Sequence, residues 1–272
     1  MANKRSTKDL TLSSNERLYL KNKHNFLFKI KKAKNFKSKY LDFYTFHVGF
    51  KKKLDDLLIV VFKELTPLSA VYSKTSTPSA PIIWDKKNNR GLCKLLIINA
   101  GNANAHTGKN GIKIIDKYVS AASKYFNCKK SHVLVSSTGV IGEKLNADKI
   151  IKIFPTILKS QTKNLLSASK AIMTTDTYPK SIVKKIKINS KIIKIFGFAK
   201  GSGMIFPNMG TMLSYIFVEA NLSKSILKKI LHSNLDASFN SISVDGDTST
   251  SDTLMLFSLS SQNQKTIKSL NS

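Results

Sequence analysis

The feature that most constrains this fold is a set of short apolar runs of strand length, separated by segments with helical periodicity. Leu57–Phe62 (LLIVVF) and Leu95–Asn99 (LLIIN) are near-continuous apolar runs, the pattern of buried strands. Val133–Val135, Met212–Val218 and Leu254–Leu259 read the same way. Between them, Gly111–Tyr125 places Ile114, Ile115, Tyr118, Val119 and Ala122 on one helical face. Ala147–Lys159, Leu165–Met173 and Leu222–Leu231 also read as helices. Ile182–Phe198 alternates Ile and Lys and reads as a β-hairpin turning near Asn189-Ser190. Thr66–Pro81 is rich in Ser, Thr and Pro and reads as loop. Strands and helices are interleaved, so the expected class is α/β (α+β), with layered sheets and helices.

Composition narrows the function classes. The chain has 272 residues, 42% of them hydrophobic, which suffices for a substantial core. No apolar run approaches the roughly eighteen residues of a membrane-spanning helix, and the charged N-terminus has no apolar signal region. Cys93 and Cys128 make neither a disulfide framework nor a metal cluster, so a reducing, cytoplasmic setting and no metal are expected. The formal charge is +29, yet Arg5, Arg17 and Arg90 are the only arginines and the lysines run along the whole chain. Phosphate and base readers lean on the planar arginine fork. The charge therefore reads as lysine on solvated faces, with no specific nucleic-acid partner.

Five segments are dense in small, polar and special-backbone residues: Asn99–Gly108 (NAGNANAHTG), Ser136–Gly142 (SSTGVIG), Ala171–Lys180 (AIMTTDTYPK), Lys200–Thr211 (KGSGMIFPNMGT) and Val244–Asp252 (VDGDTSTSD). Five such segments between clean hydrophobic elements suggest loops converging on one site. Gly101–Lys109 fails as a phosphate loop, because the glycine gap is too long and Asn110 follows the lysine. Asp245, Asp247 and Asp252 do not have calcium-loop spacing, and read as carboxylates holding hydroxyls and backbone N–H groups. In Lys200–Thr211, Gly201-Ser202-Gly203 can bend sharply and Pro207 stiffens the chain before Thr211 opens a strand. That arrangement permits the Thr211 hydroxyl to attack the Gly210 carbonyl. Hydrolysis of the resulting ester would free an α-amine that titrates at about 7.7–8.0 and can serve as base for its own hydroxyl. An ordinary loop-to-strand junction accounts for the same spacing.

In this order the five segments resemble the glutamate N-acetyltransferase/ornithine acetyltransferase family of arginine biosynthesis. The family pattern reads NSGNANA-x-TG, STGVIGE, AIMTTDT-x-PK, KGSGMI-x-PNM-[AG]-TML and VDGDTSTNDT. This chain has NAGNANAHTG, STGVIGE, AIMTTDTYPK, KGSGMIFPNMGTML and VDGDTSTSDT, and the likeness runs from about residue 45 to 258. The resemblance implies a DmpA/ornithine acetyltransferase-like fold of N-terminal-nucleophile type. It implies autocleavage between Gly210 and Thr211, with Thr211 as nucleophile. Thr138 and Gly139 match the oxyanion-hole pair. Thr174, with Thr175 as its neighbouring alternative, and Lys200 match substrate-binding positions, as does Thr211. The implied reaction is ping-pong: N-acetylornithine acylates Thr211, ornithine leaves, and glutamate takes the acetyl group. No cofactor is implied, although part of the family uses acetyl-CoA as co-substrate. The implied partners are these small molecules and the cleaved α and β chains, which associate as a heterotetramer, with no membrane partner.

The resemblance divides the chain into a basic N-terminal extension (1–44), an α-chain region (45–210) and the start of a β chain (211–272). The family pattern continues past VDGDTSTSDT into motifs without a counterpart here, so the chain is read as C-terminally truncated. Three other readings stand beside this one. A related N-terminal-nucleophile amidohydrolase or aminopeptidase would use the same Thr211 with water as acceptor. An inactive, truncated family member would keep the motifs without the chemistry. A Lys-rich nucleic-acid-binding protein would explain the charge but none of the five segments.

Overall fold

Strand β2 (Leu57–Tyr72) is the spine of the fold, and its sequence explains why. Successive strand residues point to opposite faces, so a run that is apolar at every position must be buried on both sides. Leu58, Val60 and Phe62 face one core; Leu57 and Ile59 face another. The structure is a computed structural model that describes residues 35–188, 191–205, 212–260 and 266–269. The chain divides into Met1–Lys32 and Ala33–Ser272, and every described residue lies in the second unit. Most of the expected basic extension is therefore outside the described residues. Strand β1 (Leu41–Phe46) pairs with β2 and straddles the 44/45 division.

The other strands are β3 (Leu92–Asn102), β4 (Val133–Val140), β5 (Lys180–Ile188), β6 (Lys191–Lys200), β7 (Leu213–Val218) and β8 (Thr253–Ser258). Among the described residues the sheet runs β4-β3-β2-β8-β7-β6-β5, with β1 beside the first half of β2. Two pairs are parallel, β3 with β4 and β7 with β8. The chain crosses between them through α2 (Gly108–Tyr125) and α6 (Lys224–Leu235) respectively, α1 (Ala80–Asn88) being the helix that precedes β3. The register of β2 against β3 shifts between Val61 and Thr66, and from Leu68 onward its partner is β8. Bulged strands bend, and this one carries the sheet from one half to the other.

The two halves bury a shared core. Phe43, Leu58, Val60 and Phe62 from one half join Phe196, Phe198, Tyr215, Phe217, Met255 and Phe257 from the other. Phe217 is its hub, stacked on Phe257 and on Phe196 with centroids 5.0 Å away in each case. The outer face of the first half packs on α2 through Ile115, Tyr118, Val119 and Ala122. The outer face of the second packs on α6 through Ile226, Leu227 and Leu231. The expected α/β layering is thus realised as helix, sheet half, sheet half, helix.

Two local expectations are corrected. Thr66–Pro81 is not a continuous loop: Thr66–Tyr72 belongs to β2, and Ala80 opens α1. Pro67 sits at the change of partner, where its missing N–H is tolerated, and Pro81 sits in the first turn of α1, where its fixed φ favours a helix. Tertiary pairing with β8 overrides a turn-like composition. The helix expected over Ala147–Lys159 is two short ones, α3 (Ala147–Ile151) and α4 (Phe154–Ile157), because Pro155 interrupts the helical hydrogen bonding. Leu165–Ala171 forms α5, and the hairpin expected over Ile182–Phe198 is β5–β6, with its turn residues Asn189 and Ser190 outside the described residues. No helix among the described residues is long and apolar enough to cross a membrane.

Phe217→Ala should cost about 3–5 kcal/mol, as truncation of a fully buried ring does. For a domain of this size that lowers Tm by roughly 6–20 °C in a thermal melt. A change below about 2 °C would show that the ring is not the hub of the shared core.

Candidate active site

Strand register assembles the site. Lys180 pairs with Ala199, Lys200 with Leu213, and Leu213 with Thr253, so one end of the second sheet half gathers β5, β6, β7 and β8. Lys200 is the last residue of β6 and only 4% exposed. Its Nζ donates to Thr138 Oγ1 at 2.8 Å. A buried ammonium is costly unless counter-charges meet it. Burial lowers the Lys200 pKa, while Asp176 and Asp252 both act to restore it.

Each carboxylate also holds backbone. Asp176 accepts the Gly201 amide at 2.8 Å, the Lys180 ammonium at 2.6 Å and the Thr174 amide at 3.4 Å. Burial pushes its carboxyl up, but Lys180, the Gly201 amide and Lys200 bring it below the ordinary range. Asp252 is fully buried, and its Oδ1 accepts the Met212 amide at 2.7 Å. Its Oδ2 makes no hydrogen bond among the described residues. Burial pushes Asp252 up to about 8, against the pull of the Met212 amide, the Ser249 hydroxyl and Lys200. Asp245 accepts the Met204 and Ile205 amides. Asp245 and Asp252 therefore hold backbone N–H groups, as expected of these carboxylates.

Thr138 is buried at the end of β4, and Gly139 beside it is exposed. Gly139 has φ +129°, and a Cβ there would lie 2.3 Å from the Gly101 carbonyl carbon. Gly101 in turn has φ +107° and fits against the Phe50 carbonyl. Only glycines allow β3 and β4 to approach this closely in that conformation. The Phe50 turn is fixed by buried Asp56, which accepts the amides of Val48, Gly49, Phe50 and Lys51 at 2.6–3.0 Å. From that turn Lys51 Nζ reaches the Ala171 and Met173 carbonyls at 3.1 and 3.3 Å, just before Thr174.

All five segments meet here. Asn99–Gly108 abuts Ser136–Gly142, with the Ala103 amide donating to the Val140 carbonyl at 2.8 Å. Ala171–Lys180 joins Lys200–Thr211 through Asp176 and through Thr175 Oγ1 to Ser202 Oγ at 2.7 Å. Val244–Asp252 joins that segment through Asp245, and Asp252 holds the Met212 amide just beyond it. Thr138, Gly139, Thr174 and Lys200 are thus brought into one network, while Gly210 and Thr211 lie outside the described residues. A neighbouring cleft of about 700 Å3, lined by Ile83, His106, Lys109, Ile141 and Thr250 among others, contains none of these four. Sequence reasoning missed Asp176, Asp56 and Lys51. Asp176 lay inside a motif but carried no spacing signal; the other two are isolated in a Lys-rich stretch. Among the described residues no group of His, Cys, Asp and Glu could hold a metal.

The layered α/β frame that holds this buried Lys–Thr pair is a class of fold with solved relatives. The crystal structure of the arginine biosynthesis bifunctional protein ArgJ from Bacillus halodurans superposes with TM-score 0.58 at 30% identity, covering 65% of this chain and 92% of that one. Ornithine acetyltransferase from Mycobacterium tuberculosis, solved with ornithine, shares the fold at TM-score 0.55 and 23% identity, over 67% of this chain and 97% of that one. The arginine biosynthesis bifunctional protein ArgJ of Bartonella henselae is 41% identical over 208 residues, which are 76% of this chain and 51% of that protein. Residues 42–272 match the ArgJ family, and the chain belongs to it. It spans about half the length of the curated relatives it matches.

Asp252 predicts a pH signature. Its folded-state pKa of about 8 lies above the ordinary 3.8, so the folded protein retains a proton that the unfolded chain releases. Asp252 therefore costs stability increasingly as pH rises from about 4 to about 8. Thermal melts of the parent and Asp252→Asn should converge at pH 4 and separate at pH 8, with the variant the more stable there. Parallel Tm curves across that range would contradict the assignment.

Proposed function

We propose that this chain carries the acyl-transfer site of an N-acetyltransferase of arginine biosynthesis, moving an acetyl group from N2-acetylornithine to glutamate through an acetyl-Thr211 intermediate. The observation that carries this reading is the buried Lys200–Thr138 hydrogen bond, beside an exposed Gly139 and between two carboxylates. Thr138 Oγ1 accepts from Lys200, so its own proton remains available to donate. With the Gly139 N–H it would stabilise the oxygen that gains charge when a carbonyl is attacked.

The chemistry balances without a cofactor. Thr211 Oγ1 attacks the Gly210 carbonyl carbon, the Gly210–Thr211 C–N bond breaks, and the nitrogen takes the hydroxyl proton. Water hydrolyses the ester and leaves Thr211 with a free α-amine. That amine then removes the hydroxyl proton as Oγ1 attacks the acetyl carbonyl, and it returns the proton to the departing ornithine amine. The glutamate amine attacks the acetyl-Thr ester and releases Thr211. Lys200 and Thr174 serve substrate binding. Ornithine is the ligand of the Mycobacterium tuberculosis relative, which supports the amine half of the pair. Acetyl-CoA is a co-substrate compatible with the same acyl-enzyme.

Cleavage need not separate the pieces. Strand β7, which would open the β chain (211–272), hydrogen-bonds to β6 of the α-chain region (45–210) over six residue pairs and lies in the shared core. Association of α and β chains as a heterotetramer is the assembly that goes with this reading. Cys93 and Cys128 are free thiols, which supports a cytoplasmic setting.

Intact mass spectrometry of the full-length gene product should give two fragments divided at Gly210–Thr211, and Thr211→Ala should give one. Acetyl transfer from N-acetylornithine to glutamate should vanish in Thr211→Ala; transfer that persists would exclude Thr211 as nucleophile. Lys200→Met should lower kcat by about 100-fold or more, the scale seen when a preorganised transition-state group is lost.

A further inference from the structure

The outer face of the second sheet half is only partly covered. The β5–β6 register sets Ile182, Lys184, Ile186 and Ile188 beside Gly197, Ile195, Ile193 and Lys191. Gly197 and Ile195 continue into Ile216 and Val218 of β7. Successive strand residues point to opposite faces, so these residues all lie on the face away from Phe196 and Phe198 of the shared core. Helix α6 seals that face over β7 and β8, where Ile216, Val218, Leu254 and Leu256 meet Ile226, Leu227 and Leu231. Among the described residues, none of β5 joins that cluster: Ile182 is 39% exposed, Ile186 40% and Ile188 50%. The solvated face of an antiparallel sheet ordinarily carries polar residues. Here Ile182, Ile186 and Ile188 take their place, which marks the strip as an interaction site.

The strip is rimmed by cations. Among the described residues the ion pairs of this hairpin are Lys180–Asp176 and Lys194–Glu219, which leave Lys184, Lys185, Lys187 and Lys191 unmatched. Helix α6, next to the strip, adds the exposed Lys228 and Lys229. Lysine along an edge strand opposes the addition of another strand, so the open edge of β5 is not where a partner pairs. We propose that the Ile182–Ile186–Ile188 face is the docking surface for an amphipathic helix with acidic flanks, supplied by a partner polypeptide and lying beside α6 in the same layer. Its apolar stripe covers the isoleucines, and its carboxylates meet Lys184 and Lys191. A second copy of this chain, with its formal charge of +29, brings like charge to the rim. The Lys-rich first 34 residues do the same. The surface lies outside the Lys200–Thr138 network, so it does not depend on the reading of Thr211.

The test titrates the full-length gene product with a synthetic helical peptide, followed by fluorescence anisotropy. The peptide carries Leu at i, i+3, i+4 and i+7 and Glu on both flanks. It should bind, and added salt should weaken it. Ile186→Ser should weaken binding about 10-fold or more, and so should Lys184→Glu combined with Lys191→Glu. Circular dichroism melts of both variants should match the wild type, because these side chains are exposed. Should Ile186→Ser melt early, the double lysine variant decides alone. Absence of binding, affinity unchanged in the variants, or equal affinity for the same peptide with Lys in place of Glu overturns the proposal. A dimer in sedimentation velocity that Ile186→Ser dissociates would give the face to a second copy instead. Tighter binding to phosphatidylserine vesicles than to the peptide would give it to a lipid surface, and either result overturns the helix partner.

Discussion

A strand segment that is apolar at every position, as β2 is over Leu57–Phe62, cannot rest on a surface; it has to be covered on both faces. β2 imposes that condition on the whole chain. One face of its first half is sealed by α2, the other by the aromatic residues of the second sheet half. The second half, after the register shift, brings β8 alongside and with it the parallel partner β7. Everything that later matters chemically follows from that placement. The C-terminal ends of β3 and β4 and the joined ends of β6, β7 and β8 fall near each other because β2 belongs to both halves.

The second constraint is electrostatic. Burying the Lys200 ammonium obliges the fold to bring anions and an acceptor to it. Thr138 comes from one half of the sheet; Asp176 and Asp252 come from loops at the other. Those loops could not be placed independently without leaving a buried charge unmet, so the ammonium links them. Asp176 satisfies the Gly201 amide as well, and Asp252 the Met212 amide. Each group that solvates the charge also fixes a piece of backbone next to it.

Legibility in the sequence tracked how local each signal was. The apolar run at Leu57–Phe62 and the periodic face of Gly111–Tyr125 gave strand and helix where they lie, because burial dictated residue type position by position. Thr66–Tyr72 was read as loop because Ser, Thr and Pro are turn formers locally, whereas its pairing with β8 spans most of the chain. The convergence of five polar segments was legible from their density, and the motif order supplied the family. Asp56 and Lys51 were not legible. A carboxylate that accepts four successive amides, and a lysine that reaches two carbonyls beyond a helix end, leave no periodic trace. Their value appears only when Gly101 is seen to need the Phe50 turn in place.

The carboxylates of Val244–Asp252 also fix the described backbone on either side of residues 206–211. Asp245 fixes the amides of Met204 and Ile205, and Asp252 fixes that of Met212. Residues 206–211 thus connect two anchored points held by a single segment. β7 is hydrogen-bonded to both β6 and β8, so its place in the sheet does not depend on covalent continuity with β6.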